Sequence, residues 1–256
     1  MVSSNHVMLK WLNIIAFLLT VIVNSLAGST TLIGGVNTAQ ISDANPTLVT
    51  PAGYVFAIWG IIYVLLGVFV IYQVLPSQKG KEYMNKISWL FIASSIINIA
   101  WLFLWQYTLL SLSVVLMFLL LTTLILIYLR LDIGKSAVPL RERLAVHVPF
   151  SVYLGWITIA SIANVSAMLV SVNWNGFGIA SSTWASLIII VALVVALLVI
   201  VTRKDIAYSL VIVWALIGVA VKQSGNQNVV LLTEASAIII LLALSAIIFL
   251  GKLKRQ

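Results

Sequence analysis

Three short constellations carry the groups able to do chemistry in an otherwise apolar chain. Asn98 and Trp101 stand three residues apart, and Trp105 follows at four. Tyr153, Trp156, Ala160 and Asn164 are spaced three, four and four. Trp59 and Tyr63 are four apart and follow Tyr54 and Phe56. At helical spacing each set falls on one face. If the three faces converge, indole and amide groups form an aromatic wall with a few hydrogen-bonding groups. Such a wall suits a flat, mostly apolar ligand. The alternative is that these side chains only pack and hydrogen-bond helices to one another, the commoner role of each taken singly.

Other chemistries lack their parts. The chain has no cysteine and only two histidines, His6 and His147, too few for a thiolate or imidazole metal cage. His147, just before Pro149, reads as an interfacial histidine, with axial haem ligation as the other reading. Glu234 reads as one partner of a rim ion pair near Lys222, Gln223 and Asn226, or else as a proton or cation site. No acid–His–Ser set, phosphate loop or paired deep carboxylates is visible, which argues against hydrolase, ATPase and proton-pump functions.

The elements that position these groups follow from composition. Of 256 residues, 62% are hydrophobic and 8% charged, against about 25% charged in a soluble domain. This is the composition of an all-α polytopic membrane protein, with the lipid bilayer as its first partner. Eight apolar runs can be marked, at 7–27, 52–75, 88–107, 109–129, 144–172, 180–201, 206–221 and 229–250. The seventh is short and the fifth long enough to tilt. The first, behind Lys10 and ending near Asn24-Ser25-Leu26-Ala27, resembles a signal peptide, but its length favours a retained helix. In the second run Trp59 lies about 12 Å below Pro51 at helical rise, deeper than the usual aromatic belt. Trp105, near the end of the third run, reads as an interfacial anchor.

The net charge of +8 is a topology signal and not a nucleic-acid footprint. With eight spans, every Lys and Arg except Lys222 falls on one side of the membrane. The positive-inside rule then puts both termini in the cytoplasm of a protein of the cell (plasma) membrane. On the other side lies a long loop, residues 28–50, with Asp43 its only charge. A loop of that length usually has a job, such as covering a site, or is disordered. The aromatic-and-glycine turn at 173–178 marks a boundary between a five-helix front (7–172) and a three-helix back (179–251).

At these residues the chain resembles the TspO/MBR family of tryptophan-rich sensory and translocator proteins. Pro51-Ala52-Gly53-Tyr54-Val55-Phe56 with Trp59 and Tyr63 is similar to the family's second-helix motif. Asn98-Ile99-Ala100-Trp101 is similar to its third-helix Asn-x-x-Trp, and Tyr153-Leu154-Gly155-Trp156 with Ala160 and Asn164 to its fifth-helix pattern. The likeness covers residues 7–172. Phe56 to Trp59 is one residue shorter than the family spacing, which predicts a rotated face. The resemblance implies a pocket closed by the first loop, binding of porphyrins and related hydrophobic molecules, and commonly a homodimer. No cofactor is required, and a bound tetrapyrrole (protoporphyrin or haem) is the expected guest. In some bacterial members it implies light-dependent porphyrin breakdown, with Trp59 and Trp156 in the catalytic positions. The implied site is Tyr54, Phe56, Trp59, Tyr63, Asn98, Trp101, Tyr153, Trp156, Ala160 and Asn164. Four functions stay open: a receptor or sensor, a small-solute transporter, a porphyrin-degrading enzyme, and a purely structural role.

Overall fold

A computed structural model describes residues 4–253, and side chains for residues 7–250. The side chain of His6 and the basic tail of Lys252, Lys254 and Arg255 lie outside that description. Among the described residues there is no strand. This is what lipid demands, since a helix satisfies its own backbone where no water can. The helices are α1 (Ser4–Ser29), α2 (Thr38–Ala44), α3 (Ile58–Val74), α4 (Tyr83–Ile87), α5 (Leu90–Gln106) and α6 (Leu110–Arg130). They continue with α7 (Leu140–Glu142), α8 (Val148–Ser171), α9 (Ser181–Arg203), α10 (Ile206–Lys222) and α11 (Gln227–Leu253).

Six helical segments are long and apolar enough to cross a membrane; α5 and α10 are apolar but shorter. Large apolar side chains such as Val64, Ile71, Val115, Leu198 and Val201 face outward at 56–72% exposure. A surface of that kind is stable against hydrocarbon and not against water. The chain is an integral membrane protein.

Five long helices close a ring. α1 packs on α3 and α5, α5 on α6, α6 on α8, and α8 back on α3. Buried amides tie the ring together: Asn13 Nδ2 of α1 donates to Gln73 Oε1 of α3 at 2.9 Å. The α5–α6 reversal takes almost no chain. Thr108 adopts φ +57°, and the Leu109 N–H reaches back to the Leu104 carbonyl at 2.8 Å. Together they close α5 in a Schellman-type turn. The other three long helices form a second layer in which α10 packs on α8, α9 and α11. Small groups permit the approach: a Cβ on Gly155 would lie 3.0 Å from the Tyr208 carbonyl oxygen.

Two helices differ from simple spans, each for a local reason. The second run begins with a 3₁₀ turn, Gly53–Ala57, before α3. Pro51 and extended Ala52 (ψ 149°) set up this tighter start. The fifth run begins with a π turn, Arg143–His147, which joins α7 to α8. Pro149 offers no N–H and its ring crowds the preceding turn, and a widened turn relieves both defects.

Candidate functional site

The three constellations converge. Trp59 stacks on Tyr63 (centroids 5.7 Å, planes 20° apart) and on Trp101 (6.3 Å, 28°). Trp101 stacks in turn on Trp105 at 5.9 Å. Tyr153 and Trp156 of α8 meet Trp59 edge-on at 6.0 and 6.2 Å. Phe56 meets Trp156 edge-on at 5.8 Å. The 3₁₀ start of the second run is what lets Phe56 and Trp59, only three residues apart, both reach Trp156. The shorter spacing is absorbed by backbone geometry, and the aromatic face is kept.

These rings wall a small cavity lined by Phe56, Trp59, Trp101, Trp105, Trp156, Ile159, Ala160, Ala163 and Asn164, with Pro51, Thr38 and Ser42 closing it. Its free volume is about 30 Å³, room for about one water molecule. Drug-sized pockets run to about 300–1,000 Å³. The site as it stands is therefore far too small for a guest of that size, its aromatics packed on one another beneath the long loop.

The expected site residues divide by what they touch. Phe56, Trp59, Trp101, Trp156, Ala160 and Asn164 line the cavity. Tyr63 and Tyr153 stand behind Trp59 as a second row of rings. Asn98 is fully buried and does not line the cavity; it accepts a hydrogen bond from Asn24 Nδ2 of α1 at 2.7 Å. Asn164 is committed to the bundle as well as to the wall. Its Oδ1 accepts from Trp101 Nε1 at 2.8 Å, and its Nδ2 donates to Ser113 Oγ of α6 at 2.8 Å. Tyr54 is not at the cavity: the 3₁₀ turn directs it away, 46% exposed, against Trp214 of α10 at 5.5 Å.

One buried polar group of the lining residues has no protein partner. Trp156 is 2% exposed, yet its Nε1–H makes no hydrogen bond. A desolvated donor of this kind costs about 1–3 kcal/mol. Trp101, by contrast, is fully paired.

Sequence reasoning missed the groups that hold the loop. Trp105 is buried at 5% and lines the cavity. It is no interfacial anchor, and its Nε1 donates to the Thr38 carbonyl at 3.3 Å. Gln106 Nε2 lies within 2.9–3.2 Å of the carbonyl oxygens of Ala27, Ile33 and Val36. Gly34 (φ +74°) lies so close to α5 that a Cβ would come within 2.3 Å of the Gln106 carbonyl oxygen. The signal for this clamp was a glutamine at the end of an apolar run, facing a loop with two adjacent glycines. Asn37 caps α2 with a reciprocal bond from Gln40, so the loop carries its own short helix over the cavity.

The remaining candidates lie elsewhere. His147 is buried in the π turn, nine residues or about 13 Å along the helix from Trp156. Lys222 pairs with Asp43 at 2.5 Å and not with Glu234. Glu234 is exposed beside an open groove of about 330 Å³ between α10 and α11. Among the described residues no group of three or more His, Cys, Asp or Glu could hold a metal ion.

An integral membrane helical bundle, with a small aromatic cavity under a structured loop, is the class that fold and site define. Within that class the chain belongs to the TSPO-like protein family, whose sequence model matches residues 10–248. The match runs past the five-helix ring through α9 and α10 and into α11. Comparison with curated proteins and with solved structures gave no match.

Proposed function

We propose that this protein is a TspO-like membrane receptor or sensor that takes a porphyrin or similar planar hydrophobic molecule between α3, α5 and α8. The observation that carries this reading is the unpartnered Trp156 N–H at the cavity. A buried donor with no protein acceptor, set beside stacked indoles, is a group that a guest's acceptor can satisfy. Trp59 and Trp101 would then stack on the guest's faces, with Phe56, Tyr63 and Tyr153 backing them. Asn98 and Asn164 hold the wall in register. The loop at 28–50 lifts to admit the guest.

The experiment is a protoporphyrin titration of purified protein in mild detergent, read by tryptophan quenching. Trp59→Phe with Trp156→Phe should weaken binding at least tenfold; unchanged affinity and quenching would overturn the site. Illumination separates binding from catalysis, since an enzyme forms breakdown products above a free-porphyrin control and a receptor does not. The exposed Glu234 beside its groove favours the transport reading, and liposome flux lost in Glu234→Gln would establish it.

The membrane arrangement belongs to the same proposal. Eight spans, with α5 and α10 crossing where the bilayer thins, put the basic turns after α3, α6 and α9 on one side. That side is the cytoplasm of the cell membrane, and both termini lie there. The bonds from Asn13 and Asn24 into the ring favour a retained α1. A ring at 7–172 and an added layer at 179–251 are the two units, and any homodimer would use faces that α10 leaves free. Protease protection of terminal tags in inverted and right-side-out vesicles tests the orientation.

A further inference from the structure

The loop over the cavity is held from two sides, and the two sides are unlike. Its first half is held by α5 through Gln106 and Trp105, whose side chains are buried. Its second half is held by α10, a helix of the added layer. Lys222 pairs with Asp43 at 2.5 Å, and Gln223 Nε2 donates to the Thr47 carbonyl at 3.0 Å. Just beyond the loop, the Gly218 carbonyl accepts from the Ala52 N–H at 3.0 Å, and Trp214 Nε1 donates to the Val55 carbonyl at 3.2 Å. The fit is close, since a Cβ on Gly218 would fall 2.1 Å from Val55 Cγ2. Of the loop residues that close the cavity, Thr38 sits at the first hold and Ser42 lies between it and the second.

We infer that the Lys222 end of α10 is a latch: it sets how often the loop opens, and the opening runs from the α10 side. Local opening begins where contacts are exposed and few. The Lys222 and Asp43 side chains are 31% and 59% exposed, whereas Gln106 is 1% exposed. An exposed ion pair is weak and sensitive to salt, which suits a catch that must release. Asp43 is the loop's single charge, and Lys222 is the single basic residue not in the basic turns or at the termini. The two residues that stood apart in the charge pattern are each other's partners. The second layer thereby gains a role in the site, although none of its residues lines the cavity. The inference rests on the proposed function in one respect only, that opening admits a guest.

The test uses the absence of native cysteine. Ser42, 7% exposed and facing the cavity, is replaced as Ser42→Cys in the full-length protein, and its modification by a charged thiol reagent is timed. Adding Lys222→Ala should speed modification about fivefold, the factor given by ~1 kcal/mol. Gln223→Ala should act in the same direction. In ~1 M salt, where the screening length is about 3 Å, the parent should speed up and the Lys222→Ala protein should not. Exchanging the charges, Asp43→Lys with Lys222→Asp, should restore the slow rate. A rate indifferent to Lys222, Gln223 and salt overturns the latch, as does failure of the exchange to restore it. Protoporphyrin association is timed on the same variants. A thiol rate that moves while no variant binds porphyrin keeps the latch and removes the ligand reading. Porphyrin binding with an unmoved thiol rate does the reverse.

Discussion

Phenylalanine in place of tryptophan should have unequal consequences at positions 101 and 156. Both indoles are buried, at 5% and 2% exposure. Either change removes about 40 Å² of apolar contact, ~1 kcal/mol at about 25 cal/mol per Å². The polar terms have opposite signs. Trp101→Phe strands Asn164 Oδ1, which now accepts at 2.8 Å, and adds ~1–3 kcal/mol of loss. Trp156→Phe deletes a donor that has no partner and recovers ~1–3 kcal/mol. Trp101→Phe is thus expected to destabilise by ~2–4 kcal/mol, and Trp156→Phe to be neutral or to stabilise by up to ~2 kcal/mol. Thermal unfolding in mild detergent ranks the two. Protoporphyrin titration should rank them in another way. Trp156→Phe, despite a sound fold, should lose about tenfold in affinity, the 1.4 kcal/mol of one hydrogen bond. Equal destabilisation by the two substitutions, or unchanged affinity in Trp156→Phe, would refute the argument from the orphaned donor.

Gln106→Ala removes a donor lying against two loop carbonyls and that of Ala27 at the end of α1; it should cost ~2 kcal/mol and speed proteolysis within 28–50. Gly34→Ala places a methyl group within 2.3 Å of the Gln106 carbonyl oxygen at φ +74°; it should cost more than ~2 kcal/mol and loosen the same segment in hydrogen exchange. Ala160→Leu adds more volume than the 30 Å³ cavity holds; it should abolish porphyrin quenching at a cost of ~1–2 kcal/mol in unfolding free energy. Thr108→Gly relieves a left-handed residue at φ +57°; it should leave stability unchanged or raise it by up to ~1 kcal/mol in chemical denaturation.

The helical plan was legible because lipid leaves the backbone few options and because basic residues mark the ends of runs. The aromatic wall was legible for the same local reason. Trp59 with Tyr63, and Tyr153 with Trp156, are neighbours at helical spacing, so only the convergence of faces had to be supplied. What stayed hidden depends on long separations or on backbone exceptions. Asp43 and Lys222 are 179 residues apart, and no periodicity links them. Gln106 looked like an ordinary polar end to a run until the loop's carbonyls were beside it. Tyr54, named by resemblance to the family motif, lies in a 3₁₀ segment that turns it to Trp214 and away from the cavity. Asn164 was read as free for a guest, when a neighbouring indole and Ser113 already occupy its amide.

The packing of α10 on α8 has a consequence for stoichiometry. A bundle whose partner surface is supplied by another chain depends on how crowded the membrane is, and its occupancy follows mass action. Here the element covering α8 and steadying the loop is tethered in the same polypeptide, separated from α8 by one further helix. Its effective concentration is set by that tether and is the same at one copy per cell as at thousands. Dilution into excess lipid, which dissociates assemblies between chains, should leave this contact untouched.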